Sequence, residues 1–225
     1  MDAKKAWDGV KEEMIAEPLT LSPKMSYTAR YSLIGLEMIL ARYKFAAKMM
    51  KNRKGIHVLD LGCNDGIGTS LIAQECDCKR IIGIDFDEDA IAWGKNNLAN
   101  GVIELICDDF MENQIVYGGK MDFVISLDVI EHIPLEQEDS FLKTICQNLN
   151  ETGAAIIGTP NETMYKYASP WNKKAHINNY SQERLYEACS RYFHQAFIFG
   201  MNDEVLHTGF YPMSCYVFAL CCHKK

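Results

Sequence analysis

The sequence predicts an α/β fold in which a mostly parallel sheet is covered by helices on both faces. From residue 55 onwards, short apolar strand patterns alternate with helical patterns, beginning with Ile56–Leu61 and Arg80–Asp85. Strands that are apolar along their whole length are typical of parallel sheets buried on both faces. The 225 residues, 48% hydrophobic and 24% charged, fit one globular domain.

Each element has a local signal. Before the first strand, helices are predicted at 4–15 and 28–52, the second because Leu33, Leu36, Ile39 and Leu40 recur at helical spacing. Later helices are predicted at 68–74, 88–99, 137–149 and 181–192, where residues such as Asp87, Asp89 and Ser181 can act as N-caps. Seven runs rich in apolar and β-branched residues are predicted strands: 56–61, 80–85, 102–107, 121–127, 154–158, 195–201 and 213–222. The single domain (1–225) therefore divides into a helical cap (1–54), a core (55–160) and a C-terminal region (161–225).

Charge and cysteine placement exclude two protein classes. The net charge of −7 and the lack of a basic stripe argue against nucleic acid as a partner. The cationic run Lys48–Lys54 is better explained as a solvated helix end. Of the nine cysteines, only Cys76 and Cys78 form a close pair, and no second pair completes a zinc set. Free thiols in a reducing cytoplasm are the better interpretation.

No targeting or membrane segment is expected. The charged N-terminus lacks the apolar core of about 7–15 residues that a signal peptide needs. No stretch approaches the roughly 18 apolar residues of a transmembrane helix. We therefore expect a cytoplasmic protein without membrane insertion.

The clearest motif, Asp60–Gly68 (DLGCNDGIG), follows the first predicted strand. Glycines here allow the backbone to approach a ligand, and the next helix offers free N–H groups at its start. A phosphate-binding P-loop is excluded because no lysine follows Gly68. The dinucleotide pattern G-x-G-x-x-G is excluded because its second and third glycines would fall at Asn64 and Ile67.

The pattern D-x-G-x-x-x-G-x-G instead resembles the first motif of S-adenosylmethionine (SAM)-dependent methyltransferases. The resemblance implies a Rossmann-like methyltransferase fold, with a mostly parallel seven-stranded sheet and an antiparallel last strand. It also implies SAM as cofactor and S-adenosylhomocysteine as product, with Asp60, Gly62, Cys63, Asn64 and Gly66 at the cofactor site. Asn64 departs from the glycine usual in the family, but asparagine tolerates positive φ better than most residues.

Two further strand ends extend the resemblance. Asp85 ends the second strand, where the family uses a carboxylate to accept the ribose hydroxyls, with Phe86 beside it. Asp108 resembles the residue that binds the adenine amino group, and Asp109 and Phe110 would line the ring. For Asp108, a purely turn-forming role is the alternative.

The run Ser126–His132 (SLDVIEH) resembles the motif after strand four in methyltransferases of small acceptors. Leu127 and Asp128 would border the methionine end of the cofactor. His132 would lie near the reacting methyl group as general base or positioning group, since histidine titrates near neutral pH. A structural, capped histidine remains the alternative.

A narrower resemblance involves both flanks of the core. Arg42–Ala47 (RYKFAA), Thr159–Asn161 (TPN) and Ala175–Ser181 (AHINNYS) are similar to segments of methyltransferases from bacterial surface-polysaccharide and capsule biosynthesis. His176, in a polar loop, is a candidate for the acceptor site, and His207 is a third catalytic candidate.

The helix preceding residue 31 supplies two more candidates. Tyr27 and Arg30 would close over the cofactor, as N-terminal helices do in the family, with Arg30 facing its carboxylate. No metal is expected: Asp128 and Asn161 correspond to oxygen ligands of metal-dependent catechol-type relatives, but the acidic pair between them is missing.

Four functions compete at this stage. The leading hypothesis is O-methylation of a small polar acceptor, such as a sugar or another surface-glycan precursor. O- or C-methylation of an aromatic or quinone precursor shares the SLDVIEH run but predicts an apolar acceptor pocket. A NAD-dependent oxidoreductase would need glycines that this turn lacks. A non-catalytic SAM-binding regulator would not need a histidine-bearing loop. The partner is a small-molecule acceptor, and a homodimer stays open.

Overall fold

The N-terminal region forms three helices in a computed structural model that describes residues 2–14, 20–113 and 116–225. These are α1 (Ala3–Glu13), α2 (Pro23–Tyr31) and α3 (Leu33–Met50). The prediction of one helix over 28–52 is wrong, because Ser32 is extended (φ −162°, ψ 108°) and its side chain accepts a hydrogen bond from the Gly35 amide. Serine competes well for backbone donors at such positions, so it starts a new helix. The last residue of the helix predicted at 4–15 lies outside the described residues.

The core of the protein is an eight-stranded sheet in the order β3-β2-β1-β4-β5-β8-β6-β7. Strands β1 to β5 pair in parallel, and β8 runs antiparallel to both neighbours, β5 and β6. The bounds are β1 (Lys54–Leu61), β2 (Asp77–Asp85), β3 (Ile103–Cys107), β4 (Met121–Leu127), β5 (Leu149–Pro160), β6 (Phe193–Asn202), β7 (Val205–His207) and β8 (Tyr216–Lys224). The predicted Rossmann-like fold with an antiparallel last strand is confirmed.

Within the described residues, β7 raises the number of strands from the predicted seven to eight. This three-residue strand folds back on β6 in a tight hairpin, in which Asp203 adopts a positive φ of 49°. A strand of three residues carries no alternation long enough for a sequence pattern to reveal it. Among the described residues, no helix combines the length and apolar character needed to cross a lipid bilayer.

Two hydrophobic cores lie on opposite faces of the sheet. Leu59 and Leu61 of β1 belong to one core, and Ile56 and Val58 belong to the other, as expected where side chains alternate along a strand. The remaining helices are α4 (Ile67–Glu75), α5 (Glu88–Asn97), α6 (Phe110–Asn113), α7 (Glu138–Asn148), α8 (Pro170–Ala175) and α9 (Gln182–Ser190).

The strand order places the chemistry-bearing loops side by side. Strands β2, β1 and β4 are neighbours, and their carboxyl ends lie at the same edge because they are parallel. Strand order reverses between β1 and β4, and ligands of open α/β sheets bind at such a switch point.

Candidate active site

The turn after β1 has the positive backbone angles that the sequence predicted. Gly62, Asn64 and Gly66 have φ values of 82°, 51° and 81°. A Cβ atom on Gly62 would lie 2.2 Å from Cγ2 of Val129, so no side chain fits there. Asparagine is one of the few residues that adopts this conformation readily, so Asn64 replaces the expected glycine without breaking the turn.

Asp60 is a buried residue of β1 that supports this turn. Its side chain is fully buried, and its carboxylate accepts hydrogen bonds from the hydroxyl of Thr69 (2.6 Å) and, more distantly, of Tyr43 (3.5 Å). Burial raises the pKa of Asp60 to about 7, although both hydrogen bonds favour the charged form. Asp60 is not among the residues that line the cavity described below, so its contact with the cofactor stays a prediction.

The raised pKa of Asp60 predicts how stability depends on pH. Between about pH 4 and 7 the folded protein retains a proton that the unfolded chain loses, because the pKa in the unfolded state is close to 3.9. Stability therefore falls as pH rises through this window, at up to about 1.4 kcal/mol per pH unit from this group. Denaturant unfolding of the wild type and Asp60→Asn from pH 5.5 to 7.5 should show a steeper decline for the wild type. Parallel curves would contradict this assignment.

Asp85 ends β2 with its carboxylate fixed by the backbone. Its two oxygens accept hydrogen bonds from the amides of Asn64 (2.8 Å) and Asp87 (3.0 Å). A carboxylate has about four lone-pair sites, so each oxygen keeps capacity for a further donor. The side chain is thus oriented in advance for a ligand bearing two hydroxyl groups.

A cavity of about 450 Å³ opens at the carboxyl ends of these strands. It brings together eight residues that the sequence predicted for the cofactor or for catalysis: Gly62, Asn64, Asp85, Phe86, Asp109, Phe110, Asp128 and His132. A larger groove lies along α3, with Leu36 and Leu40 in its wall, but it contains none of these residues. We therefore place the candidate active site in the smaller cavity.

At the predicted adenine end, both aspartates have hydrogen-bond partners within the protein. The Asp108 carboxylate accepts a hydrogen bond from the Tyr117 hydroxyl (2.7 Å), and burial together with this contact raises the pKa of Tyr117. Asp109 and Phe110 line the cavity, and Asp109 also accepts hydrogen bonds from the amides of Met111 and Glu112 in α6. Whether Asp108 binds adenine stays a prediction.

Helix α2 is attached to the glycine turn by a buried contact. Ser22 caps α2 and donates a hydrogen bond to the carboxylate of Asp65, and both side chains are about 1% exposed. Lys24 is the residue of this helix that lines the cavity, whereas Tyr27 and Arg30 are exposed and do not. Their role in closing over the cofactor stays a prediction.

Three other predicted residues are not among those that line the cavity. Cys63 is buried, and burial raises its thiol pKa well above the ordinary value. Leu127 is buried at the end of β4, close to Gly158. Gly66 is the N-cap residue of α4, and an added Cβ there would lie 2.9 Å from Leu105. We infer that these three residues support the site structurally.

Asp128 is held by an ion pair from the N-terminal region. Nη1 of Arg42 lies 2.5 Å from Oδ2 of Asp128, and the guanidinium also stacks over the ring of Tyr216, 4.1 Å from its centroid. Asp128 itself has a positive φ of 59°, an uncommon conformation outside glycine. The site thus depends on α3 and β8 as well as on the loop after β4.

Next to Asp128, two of the histidine candidates meet at a buried glutamate. The rings of His132 and His176 pack edge to face with centroids 4.9 Å apart. Glu131 is 1% exposed, and burial together with the charge of Asp128 raises its pKa to about 8. Burial and the neighbouring His132 lower the pKa of His176 and so favour its neutral form.

The polar loop that the sequence assigned to the acceptor is partly structural. Asn178 and Tyr180 are buried, and their side chains hydrogen-bond to each other. Tyr180 also donates to Glu138, which pairs with Arg184 and Arg191. These amide and phenol groups therefore already have partners within the protein. In this loop, the residue predicted for the acceptor site that contacts His132 is His176.

His207 lies in a different environment. It is on β7, where its Nε2 is 3.4 Å from the Ser214 hydroxyl and 3.5 Å from the Asn202 amide. Its Nδ1 accepts a hydrogen bond from the Gly209 amide (3.2 Å). Both ring nitrogens thus have partners, and a catalytic role for His207 stays a prediction.

Sequence reasoning missed two contributors, Glu131 and the pairing role of Arg42. Glu131 stood inside the SLDVIEH run, but only its neighbours were assigned roles. A signal was present, since Glu131 follows two apolar residues, Val129 and Ile130, and a buried glutamate must be paired or neutral. The contact between Arg42 and Asp128 spans 86 residues of sequence, so no local pattern predicts it.

A comparison with protein families now identifies the class of the molecule. A family described as a methyltransferase domain matches residues 35–196. This range includes β1 to β5 and every residue named above as lining the cavity except Lys24, and it exceeds half of the chain. The chain therefore belongs to this methyltransferase family, as the sequence motifs predicted.

Individual relatives agree with the family. The chain is 29% identical over 108 residues (48% of this chain, 37% of the relative) to a protein of Mycobacterium tuberculosis named as a probable SAM-dependent methyltransferase. It is 31% identical over 128 residues (53% and 40%) to a ubiquinone biosynthesis O-methyltransferase of Rickettsia conorii. The aligned regions thus span about two fifths of the length of these two relatives.

A solved structure supports the fold over nearly the whole chain. The plantazolicin methyltransferase BpumL, in complex with S-adenosylhomocysteine, superposes with a TM-score of 0.68 at 15% identity, covering 90% of each chain. At this level of identity the similarity establishes the fold alone.

Proposed function

We propose that this protein transfers a methyl group from SAM to an oxygen atom of a small hydroxyl-bearing acceptor. The observation that carries the proposal is the cavity at the switch point, whose lining joins the Asp85 carboxylate to Asp128 and His132. Methyl transfer from a sulfonium mainly requires alignment of the two partners, which a preformed cavity provides.

The cavity fits SAM in size and in its polar groups. Small-ligand pockets usually measure about 300–1,000 Å³, and this one is within that range. Asp85 keeps acceptor capacity for ribose hydroxyls. Oδ1 of Asn64 is buried and has no hydrogen-bond partner among the described residues, so it is available to a donor on the ligand. When bound, SAM supplies an electrophilic methyl group.

The cofactor assignment predicts the effect of replacing Asp85. We expect SAM to bind with an affinity measurable by calorimetry, and Asp85→Ala to weaken it at least tenfold. Each charge-assisted hydrogen bond contributes about 1.5–3 kcal/mol, more than the 1.4 kcal/mol of a tenfold change. Asp77→Asn is the matched control because Asp77 is exposed at the other end of β2. Unchanged affinity in a folded Asp85→Ala protein would remove the ribose assignment.

The chain's own residues must position the acceptor and accept or direct its proton. His176 favours its neutral form, and it meets His132, which lines the cavity. A neutral imidazole can accept the proton that a hydroxyl group loses. The pair therefore supports an oxygen acceptor.

Two acceptor classes remain, and we favour a polar one, such as a sugar hydroxyl of a capsule or surface-glycan precursor. Carboxylate and imidazole groups at the cavity support a polar acceptor, although the side chains of Asn178 and Tyr180 are buried and hydrogen-bond to each other. An aromatic or quinone precursor is the second candidate. It is favoured by the exposed rings of Tyr165, Tyr167 and Trp171, which precede His176 in the chain, and by the quinone-pathway relative.

Labelled SAM separates these two acceptor classes. The purified protein is incubated with capsule and lipopolysaccharide precursors in one set and with catechols and quinols in another. We expect label in a glycan precursor and none in the aromatic set, because unpaired polar groups in a site reject a poorly matched substrate. Transfer to quinols alone would overturn the glycan assignment and leave the cofactor site unchanged.

We further propose a cytoplasmic location, supported by nine free cysteines, which a reducing compartment preserves. The sequence also allows a homodimer, and sedimentation velocity measures that state directly.

A further inference from the structure

We propose that Glu131, His132 and His176 form a binding site for one divalent transition-metal cation at the edge of the cavity. One ligand atom from each of these side chains lies within 4.8 Å of the others. The expectation of no metal rested on Asp128 and Asn161 as the candidate ligands. The amide of Asn161 instead donates to the carbonyls of Tyr211 and Ser214.

The Glu131 carboxylate has one oxygen free to bind a cation. Its Oε2 accepts a hydrogen bond from the Thr159 hydroxyl (3.0 Å), which fixes the orientation of the group. Its Oε1 is buried and has no hydrogen-bond partner among the described residues. A buried carboxylate oxygen without a partner is costly, and a cation is one of the few ligands that compensates for it.

His132 is oriented so that one ring nitrogen is available. Its Nδ1 lies 3.0 Å from the carbonyl oxygen of Ala175. A carbonyl can only accept, so Nδ1 carries the hydrogen and Nε2 keeps its lone pair. Histidines that bind metals usually donate their other N–H to a carbonyl or carboxylate in this way.

Hydrogen bonds that involve the main chain join the two segments that supply the ligands. The amides of Ile177 and Asn178 both donate to the carbonyl oxygen of Glu131, at 3.0 and 3.1 Å. With the contact between His132 and Ala175, three hydrogen bonds join the turn after β4 to the loop that bears His176. The three ligands are therefore held together before any cation binds, which lowers the entropic cost of binding.

The balance of nearby charge also favours a cation. Two acidic side chains, Asp128 and Glu131, lie here, and Arg42 acts on both of them. Arg42 pairs with Asp128 rather than with the free oxygen of Glu131. That oxygen is therefore left for a cation that also binds the two histidines.

The donor set indicates which cations fit. Two imidazoles with one carboxylate suit Mn²⁺, Fe²⁺, Co²⁺ or Zn²⁺, whereas Mg²⁺ and Ca²⁺ prefer oxygen alone. Metal–ligand bonds of about 2.1 Å place ligand atoms roughly 3.4 Å apart, so small side-chain rotations from the present separation suffice. Three protein ligands leave coordination positions open.

The role of the cation rests on the proposed methyltransferase function. Because His132 also lines the cavity, a cation bound there could hold the acceptor through its hydroxyl oxygen. A bound cation lowers the pKa of such a hydroxyl, whose proton then passes to solvent water. Metal binding itself is independent of that role and can be tested without SAM or acceptor.

The test is a titration of tag-free protein, first stripped of metal by a chelator, with Co²⁺. We expect one Co²⁺ per chain with visible absorption bands from nitrogen and oxygen ligands, and competition by Zn²⁺. Glu131→Gln, which keeps an acceptor for Thr159, and His176→Asn should each weaken binding roughly 100-fold, since even outer partners of metal ligands are worth 10–100-fold. His194→Asn is the matched control because His194 is an exposed histidine on β6.

The outcomes are distinguishable. Absence of Co²⁺ binding to the wild type, or equal binding by wild type and both variants, would overturn the metal site. Calorimetric SAM binding by the same preparations reports whether each variant is folded. If Glu131→Gln is not folded, His176→Asn alone provides the test. Metal binding without any methyl transfer would retain this site and reject its catalytic role.

Discussion

Replacing Gly62 with alanine is expected to weaken SAM binding by roughly 100-fold or more. Gly62 has a φ of 82°, and an added Cβ would lie 2.2 Å from Cγ2 of Val129. The left-handed conformation costs alanine about 1–2 kcal/mol, and forcing an extra carbon into a packed site costs about 1–3 kcal/mol. Relief of the clash must move Val129, and with it the neighbouring Asp128, away from the cavity. Calorimetry with SAM and denaturant unfolding measure the two effects.

Gly55→Ala separates the clash from the backbone strain. Gly55 lies at the start of β1, the strand that precedes Gly62, with a similar φ of 60°, but a Cβ there would have no atom within 4 Å. We expect Gly55→Ala to lose about 1–2 kcal/mol of stability while retaining SAM affinity. Equal SAM affinity in the two variants would show that the contact between Gly62 and Val129 does not shape the site.

The sequence predicts the core of the fold because its signals are local. The strands from Ile56–Leu61 to Ala154–Gly158 are mostly apolar runs that end in, or are followed by, glycine or aspartate, and such runs are typical of a parallel sheet buried on both faces. Residues that follow such strands necessarily meet at one edge. That is why Gly62, Asp85 and Asp128 could be grouped before any coordinates were known.

The acceptor side could not be predicted in the same way. Its groups come from α3, the turn after β4, the loop before α9 and β8, and these meet through contacts distant in sequence. The pairing of Arg42 with Asp128 and the bond from Thr159 to Glu131 illustrate this. Composition also misled the interpretation of the polar loop, because a polar residue can serve a buried network as well as a ligand. Asn178 does so here.

The second large effect is expected from His176→Ala. We expect turnover of the acceptor identified with labelled SAM to fall roughly 10²–10⁴-fold, which is the usual contribution of a general acid or base. SAM affinity should stay close to that of the wild type, because His176 is not among the residues that line the cofactor cavity. The same loss is expected if His176 holds a cation that binds the acceptor.

His132→Ala and the double variant test whether the two histidines act as one unit. Their rings are in contact, so each single replacement removes the partner on which the other depends. The double variant should therefore lose little more activity than the weaker single variant, as groups with a shared task are strongly non-additive. His194→Ala, at an exposed position on β6, should keep normal turnover. Near-normal turnover in both single variants would instead move acid–base catalysis to His207, the third histidine that the sequence proposed.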